Sequence, residues 1–278
     1  MAEQKSTTVA PTSSSSKSGN LNSPFALIVI AAAIVVAILV YKFFLGSGAN
    51  FEGGNPENKP LPGNFLGIVY KGGFIVPGLM ALLMIVVTFT IERFLTIMKA
   101  KGSGNVATFI KNIKYNLETG NLSAAKQACD KQRGSVANVV RAAVDKYEMM
   151  EKETHLTTDQ KVLAIQKEVE EATSLELPIL EKNLTVIATI ASIATLMGLL
   201  GTVLGMIRAF AAMANAGAPD ATALSTGISE ALINTALGIS TSAIAIIMYN
   251  YFTSSIDDLS YGIDEAGFTI TQSYASKH

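Results

Sequence analysis

Two charged side chains, Arg208 and Glu230, and a series of hydroxyls stand inside the last two apolar blocks of the chain, residues 184–214 and 223–253. An ionisable group within an apolar span is costly, usually faces a bundle interior or a water-filled path, and is for that reason a candidate for function. On the first block Thr185, Thr189, Ser192 and Thr195 follow one another at steps of four, three and three, and seven more residues reach Thr202, which places a polar stripe along one helical face. On the second block Glu230, Asn234 and Thr241 share a face, with Ser225, Ser229, Thr235 and Ser242 on it or beside it. Groups of this kind can hold water and pass protons. They can equally bond their own backbone carbonyls or join two helices.

Depth follows from the connection between the blocks, because residues equally far from the turn of a helical hairpin lie in one layer. Positions 202 and 235 are centred between Ala218 and Pro219, so each is about 16 residues from the turn, roughly 25 Å along a helix axis. Thr202 and Thr235 therefore face the same layer, near mid-membrane. Arg208 and Glu230 lie at about 10 and about 12 residues from the turn, close enough in depth to pair. The alternative is that Arg208 reaches to the outer surface, with Glu230 as its structural partner. Gly198, Gly201 and Gly205, with Ala231, Ala236 and Gly238 opposite, are small enough for close helix approach. They suit several hairpins around a narrow axis, and equally a dry contact within one monomer.

The rest of the chain must position this hairpin. It has 278 residues, 49% of them hydrophobic and only 15% charged, a balance that departs from ordinary globular domains. Fourteen of the 21 Lys and Arg lie between Arg93 and Lys182, marking one polar domain in a membrane protein. The expected fold is an all-α membrane protein of four transmembrane helices with a helical cytoplasmic domain between spans two and three. Its divisions are a disordered cytoplasmic tail over 1–22, spans at 23–45, 65–98, 182–214 and 223–253, a periplasmic loop at 46–64, the cytoplasmic domain at 99–181, a periplasmic turn at 215–222 and a cytoplasmic tail at 254–278. A cleaved signal peptide is the rival reading of the first apolar run. Orientation follows from the excess of Lys and Arg on cytoplasmic flanks, which puts both termini inside. Within 99–181, Val106, Phe109, Ile110 and Ile113 recur at helical spacing, as do Val136, Val139, Val140 and Val144, with Gly120 and Gly134 as breaks.

Several function classes fall away. Cys129 is alone, His155 and His278 are the two histidines, and no metal site or cofactor is expected. No nucleophile, base and orienting group converge, so no enzyme activity is expected. A net charge of −1 without a basic cluster argues against nucleic acid.

The stretch LTVIATIASIATLMGLLGTVLGMIRAF at 184–210 and GISEALINTAL at 227–237, with Tyr249 and Asn250 downstream, resembles the MotA/TolQ/ExbB proton-channel family, and within it the ExbB branch most closely. The resemblance covers roughly 73–252. It implies a homopentamer around a pore occupied by helices of a small ExbD-like or TolR-like single-span partner, whose aspartate takes up and releases protons. It further implies a lipid-embedded complex in the inner membrane of a Gram-negative bacterium, coupled to a TonB-like protein or to a Tol–Pal system. The family's pore threonines fall on Thr202 and Thr235 and its glutamate on Glu230, while Ser192, Thr195, Asn234, Thr241 and Arg208 are candidates for the pore face or for pairing. Two departures stand out. A proline common before the GLLGTV run is Thr195 here, and the first span is additional to the usual three. A flagellar-type stator, a non-conducting scaffold and a secondary transporter are the competing functions.

Overall fold

The computed structural model describes residues 24–215 and 221–277; the 1–22 tail and the centre of the 215–222 turn lie outside them. Helix α1 (Pro24–Leu39) is apolar on every side. Leu27, Ile28, Val35 and Ile38 point outward while Ala26, Ala33 and Ala37 are buried, the pattern of a helix that meets lipid on one side and packs through small residues on the other. Its last turn widens to a π-helix, Val40–Leu45, which ends at Gly46. A loop with two 3-10 turns and one antiparallel bridge, Phe51 to Pro60, leads to α2 (Phe65–Tyr70).

The second apolar block is not one helix. Helix α2 stops at a turn in which Gly73 has φ +80°, and α3 (Ile75–Lys101) follows. Gly102, also at positive φ, ends α3. The helical domain is α4 (Val106–Glu118), α5 (Leu122–Gln132) and α6 (Gly134–Lys152). Asn105 and Asn121 cap α4 and α5 by accepting backbone N–H groups with their side-chain oxygens. Helix α7 (Thr158–Glu181) starts in a reciprocal capping box between Thr157 and Gln160.

Helix α7 does not run straight into the third apolar block. It breaks at Lys182 and Asn183, Asn183 taking φ +65°, which Asn tolerates better than most residues. Helix α8 (Leu184–Asn215) then passes unbroken through Thr195. Helix α9 (Ala221–Lys277) holds 57 residues in one piece, about 85 Å long. The segment 254–277 is thus no loose tail but the central rod of the helical domain. Ile256, Leu259, Ile263, Ala266, Ile270 and Tyr274 recur at three- and four-residue steps, all buried in one core with α4, α6 and α7. At its far end the Tyr274 ring meets Tyr147 edge-on at 4.7 Å, and its hydroxyl donates to the Met150 carbonyl at 3.0 Å. Four helical runs are long and apolar enough to cross a membrane, and no strand occurs among the described residues.

Candidate functional site

The site is built on the contact of α8 with α9. Glycines remove the side chains that would hold the two helices apart: a methyl at Gly238 would come within 2.6 Å of the Ala194 carbonyl, and one at Gly198 within 3.1 Å of the Gly238 Cα. A methyl at Gly205 would lie 3.0 Å from Ala231, and one at Gly201 would run into Asn234. All four small residues therefore serve the seam inside one hairpin.

Thr202 and Thr235 meet across that seam, hydroxyl to hydroxyl. The Thr235 hydroxyl also donates to the Ala231 carbonyl at 3.2 Å, and the Thr202 hydroxyl lies 3.2 Å from the Gly198 carbonyl. Each hydroxyl carries one hydrogen and two lone pairs. One of the pair's two hydrogens joins the hydroxyls and the other goes to a backbone carbonyl, so the pair has spare lone pairs with which to accept from a third group and donates to one by giving up that carbonyl. Both threonines are half-buried and remain approachable from outside the monomer. On α8 the stripe leading to them, Thr185, Thr189, Ser192 and Thr195, is exposed along its length.

Two of the candidates lie on the other side. Asn234 and Thr241 are buried within the monomer, as is Ser242, whose hydroxyl donates to the Ala191 carbonyl at 2.5 Å. The Asn234 amide donates to the Gly72 carbonyl at 2.8 Å, which ties α9 to the α2–α3 turn, and its side-chain oxygen has no partner among the described residues. Glu230 and Arg208 form an ion pair nearer the connecting end of the same hairpin. The carboxylate is largely buried, 14% exposed, and the guanidinium is 48% exposed and lies 5.2 Å from the centre of the Phe74 ring. A methyl at Gly73 would strike the Glu230 carboxylate and force that side chain to shift, and the positive φ of Gly73 favours glycine.

Sequence reasoning passed over Arg93, counting it only as a positive charge. It is 2% exposed in the second half of α3, grips the Glu92 carboxylate with two nitrogens, and donates to the carbonyls of Ile179 and Leu180 at 3.1 and 3.2 Å. Those carbonyls are among the last four of α7, which no helical N–H can reach. A charged residue closing an apolar block, with a proline-bearing helix end elsewhere, was the available signal.

Away from the membrane helices, charge is paired on the surface of the helical domain. Lys126 contacts Asp145 and Glu148, each at 2.5 Å, and hydrogen bonds to both raise its pKa. Hydrogen bonds from Lys126 and Lys152 hold the Glu148 carboxyl down to about 2. Burial pushes the Cys129 thiol up to about 12, the behaviour of an inert core cysteine. Among the described residues no group of three His, Cys, Asp or Glu is placed to hold a metal ion.

Residues 132–265, which include the whole seam, match the model of the MotA/TolQ/ExbB proton channel family. The chain is similar to the putative biopolymer transport protein ExbB-like 3 of Synechocystis sp., with 39% identity over 88 residues, 31% of this chain and 42% of that protein. It is similar to the biopolymer transport protein ExbB of Helicobacter pylori, with 43% identity over 81 residues, 29% and 56% of the two chains. It is also similar to the Tol-Pal system protein TolQ of Pseudomonas aeruginosa, with 29% identity over 119 residues, 43% and 52% of the two. The matches span about half the length of these relatives. The hairpin whose glycine seam presents a pair of threonine hydroxyls thus lies inside the segment that matches the MotA/TolQ/ExbB proton channel family, and two further apolar helices precede that segment.

Proposed function

We propose that the chain is the channel-forming subunit of an inner-membrane motor driven by the proton-motive force, ExbB-like, working with an ExbD-like single-span partner to energise TonB-dependent transport across the outer membrane. The observation that carries this reading is the Thr202–Thr235 hydroxyl pair, joined across the seam of the α8–α9 hairpin and open to a third group. An aspartate on a partner helix alternates between accepting a hydrogen bond when ionised and donating one when protonated. The threonine pair serves both states without charge of its own. Five copies around an axis would bring the exposed α8 stripe, Thr185 to Thr195, onto the path leading to that pair. The ion-paired Glu230 and Arg208 shape the field at its outer end. The Lys- and Arg-rich helical domain and both termini then lie on the cytoplasmic side.

A TolQ-like role in a Tol–Pal envelope system is the second reading. The similarity to the Pseudomonas aeruginosa TolQ covers 43% of the chain, against 31% for the ExbB-like 3 protein. The periplasmic protein that co-purifies with the intact complex separates the two.

The test of conduction uses the complex purified from its own membranes, with copy number read by native mass spectrometry and proton uptake measured after reconstitution. Thr202→Val and Thr235→Val, which keep shape and remove the hydroxyls, should lower proton flux at least about tenfold with assembly unchanged. Unchanged flux in the double variant would favour a non-conducting scaffold in which the hydroxyls only join helices.

A further inference from the structure

The first helix reaches the Glu230 site through a chain of direct contacts. At its outer end the π-helical turn Val40–Leu45 carries Tyr41, whose ring stacks on Tyr70 with centroids 4.7 Å apart and whose hydroxyl donates to the Tyr70 carbonyl at 3.1 Å. The π-helix closes with the Gly46 N–H on the Tyr41 carbonyl at 2.9 Å, and a methyl at Gly46 would press within 2.7 Å of the Tyr70 ring. Phe51, from the loop that follows, covers Tyr70 edge-on at 5.4 Å. Leu45, Val69 and Val76 close this cluster beneath, with Leu237 of α9 packed against it. Tyr70 is held from three directions, all supplied by the segment 41–51.

Tyr70 begins the turn that meets the site. The Gly73 N–H bonds the Tyr70 carbonyl at 3.2 Å, the same oxygen that Tyr41 engages. The next carbonyls and side-chain space are used from the other side: Gly72 takes the Asn234 amide, and Gly73 leaves room for the Glu230 carboxylate. The π-helical stretch is the last of this helix, six residues that end at Gly46. Here it aims Tyr41 at the turn.

We infer that the additional first helix is a brace for the Glu230 site: Tyr41 is a positioning residue that fixes the Tyr70–Gly73 turn against Asn234 and Glu230. This rests on the proposed function only in taking the Glu230–Arg208 pair to shape the field at the outer end of the proton path. The structural half stands without it.

The test is hydrogen–deuterium exchange on the full complex, combined with energised uptake in cells. In Tyr41→Leu, exchange at the amides of Gly72, Gly73 and Val76 should rise at least about tenfold, while the middle of α3 is unaffected, and uptake should fall by a similar factor with assembly intact. Tyr41→Phe keeps the ring stack and loses one hydrogen bond, so it should restore most uptake and raise exchange at Gly73 only about fivefold. Phe43→Leu, an exposed change on the same helix, should alter neither. The brace is overturned if Tyr41→Leu leaves exchange at the turn unchanged, or if exchange rises uniformly along α3, the mark of general loosening. If Tyr41→Leu does not accumulate, the Tyr41→Phe exchange at Gly73 decides alone. Absence of proton flux in the wild type would count against the proposed function and leave the exchange result to judge the brace.

Discussion

Replacing Arg93 with Met should destabilise the chain strongly, because its side chain ties α3 to the end of α7. The guanidinium, 2% exposed, donates to two α7 carbonyls at 3.1 and 3.2 Å and holds the Glu92 carboxylate in a two-nitrogen fork. Hydrogen bonds from a charged donor contribute about 1.5–3 kcal/mol each. Removing one member of a buried pair costs about 3–5 kcal/mol, because the other is left behind. These figures overlap, since both count the same lost contacts, so the expected loss is about 3–5 kcal/mol. For a chain of this size each kcal/mol lowers Tm by about 2–4 °C, giving a fall of about 6–20 °C. Far-ultraviolet circular dichroism of the purified protein in mild detergent reads it. Arg93→Lys keeps the charge, but one ammonium cannot span two carbonyls and a carboxylate, and it should lose about 1–2 kcal/mol. The double variant Glu92→Gln/Arg93→Met gives the sharper reading. It should be milder than the sum of its singles by about 1–2 kcal/mol, because the stranded carboxylate is gone. A fall below about 3 °C for Arg93→Met, or strict additivity in the double variant, would refute the assignment of Arg93 as the clasp of α7.

Gly238→Ala should open the hairpin seam, because its methyl would sit 2.6 Å from the Ala194 carbonyl and 2.8 Å from the Gly198 Cα, both backbone atoms that cannot swing aside. A loss of about 1–3 kcal/mol in thermal melting is expected, and a neutral result would show that the helices part freely there. Glu148 gives a pH dependence with a defined sign. Its folded carboxyl is held at about 2 by Lys126 and Lys152, below its ordinary 4.5, so its contribution is present above pH 4.5 and fades as pH falls from 4.5 toward 2. Glu148→Gln should flatten the melting temperature across that window and leave its slope at neutral pH alone; an unchanged acid slope would mean that the carboxylate is as free folded as unfolded.

The shared depth of Thr202 and Thr235 was legible because a hairpin equates depth with distance from its turn; their contact comes from the close approach of α8 and α9 at the glycine seam. The exposed stripe from Thr185 to Thr195 was legible from helical spacing alone. Periodicity says which residues share a face but not what the face meets. For that reason Asn234 and Thr241 could be grouped with Glu230, yet the structure turns them inward, against α3 and α8. The contact that decides Asn234 comes from Gly72, 162 positions away in the chain, which no local pattern records. The break at Asn183 escaped notice because the residue is neither Gly nor Pro and acts through a positive φ. In the last 24 residues the apolar spacing of Ile256, Leu259, Ile263 and Ile270 was present, but Asp257, Asp258, Asp264 and Glu265 between them drew the eye to charge.

The two arms of the hairpin differ in how they leave the membrane. Helix α9 continues without interruption from Glu230 and the threonine pair to Tyr274, where it is locked by the Tyr147 ring and the Met150 carbonyl. Every i to i+4 bond along that rod would have to strain before its two ends moved independently. Helix α8 has no such continuity with α7: Pro178 lacks an N–H to bond the carbonyl of Ser174, Asn183 leaves helical φ, and the Ile179 and Leu180 carbonyls between them are held by Arg93 of α3. The stiff arm and the jointed arm are bound to each other by the glycine seam, tightest around Gly198 and Gly238. A shift of the hairpin relative to the helical domain is therefore resisted along α9 and taken up at the α7–α8 joint. Arg93 therefore holds the α7 side of this joint, about half the length of α8 away from Thr202.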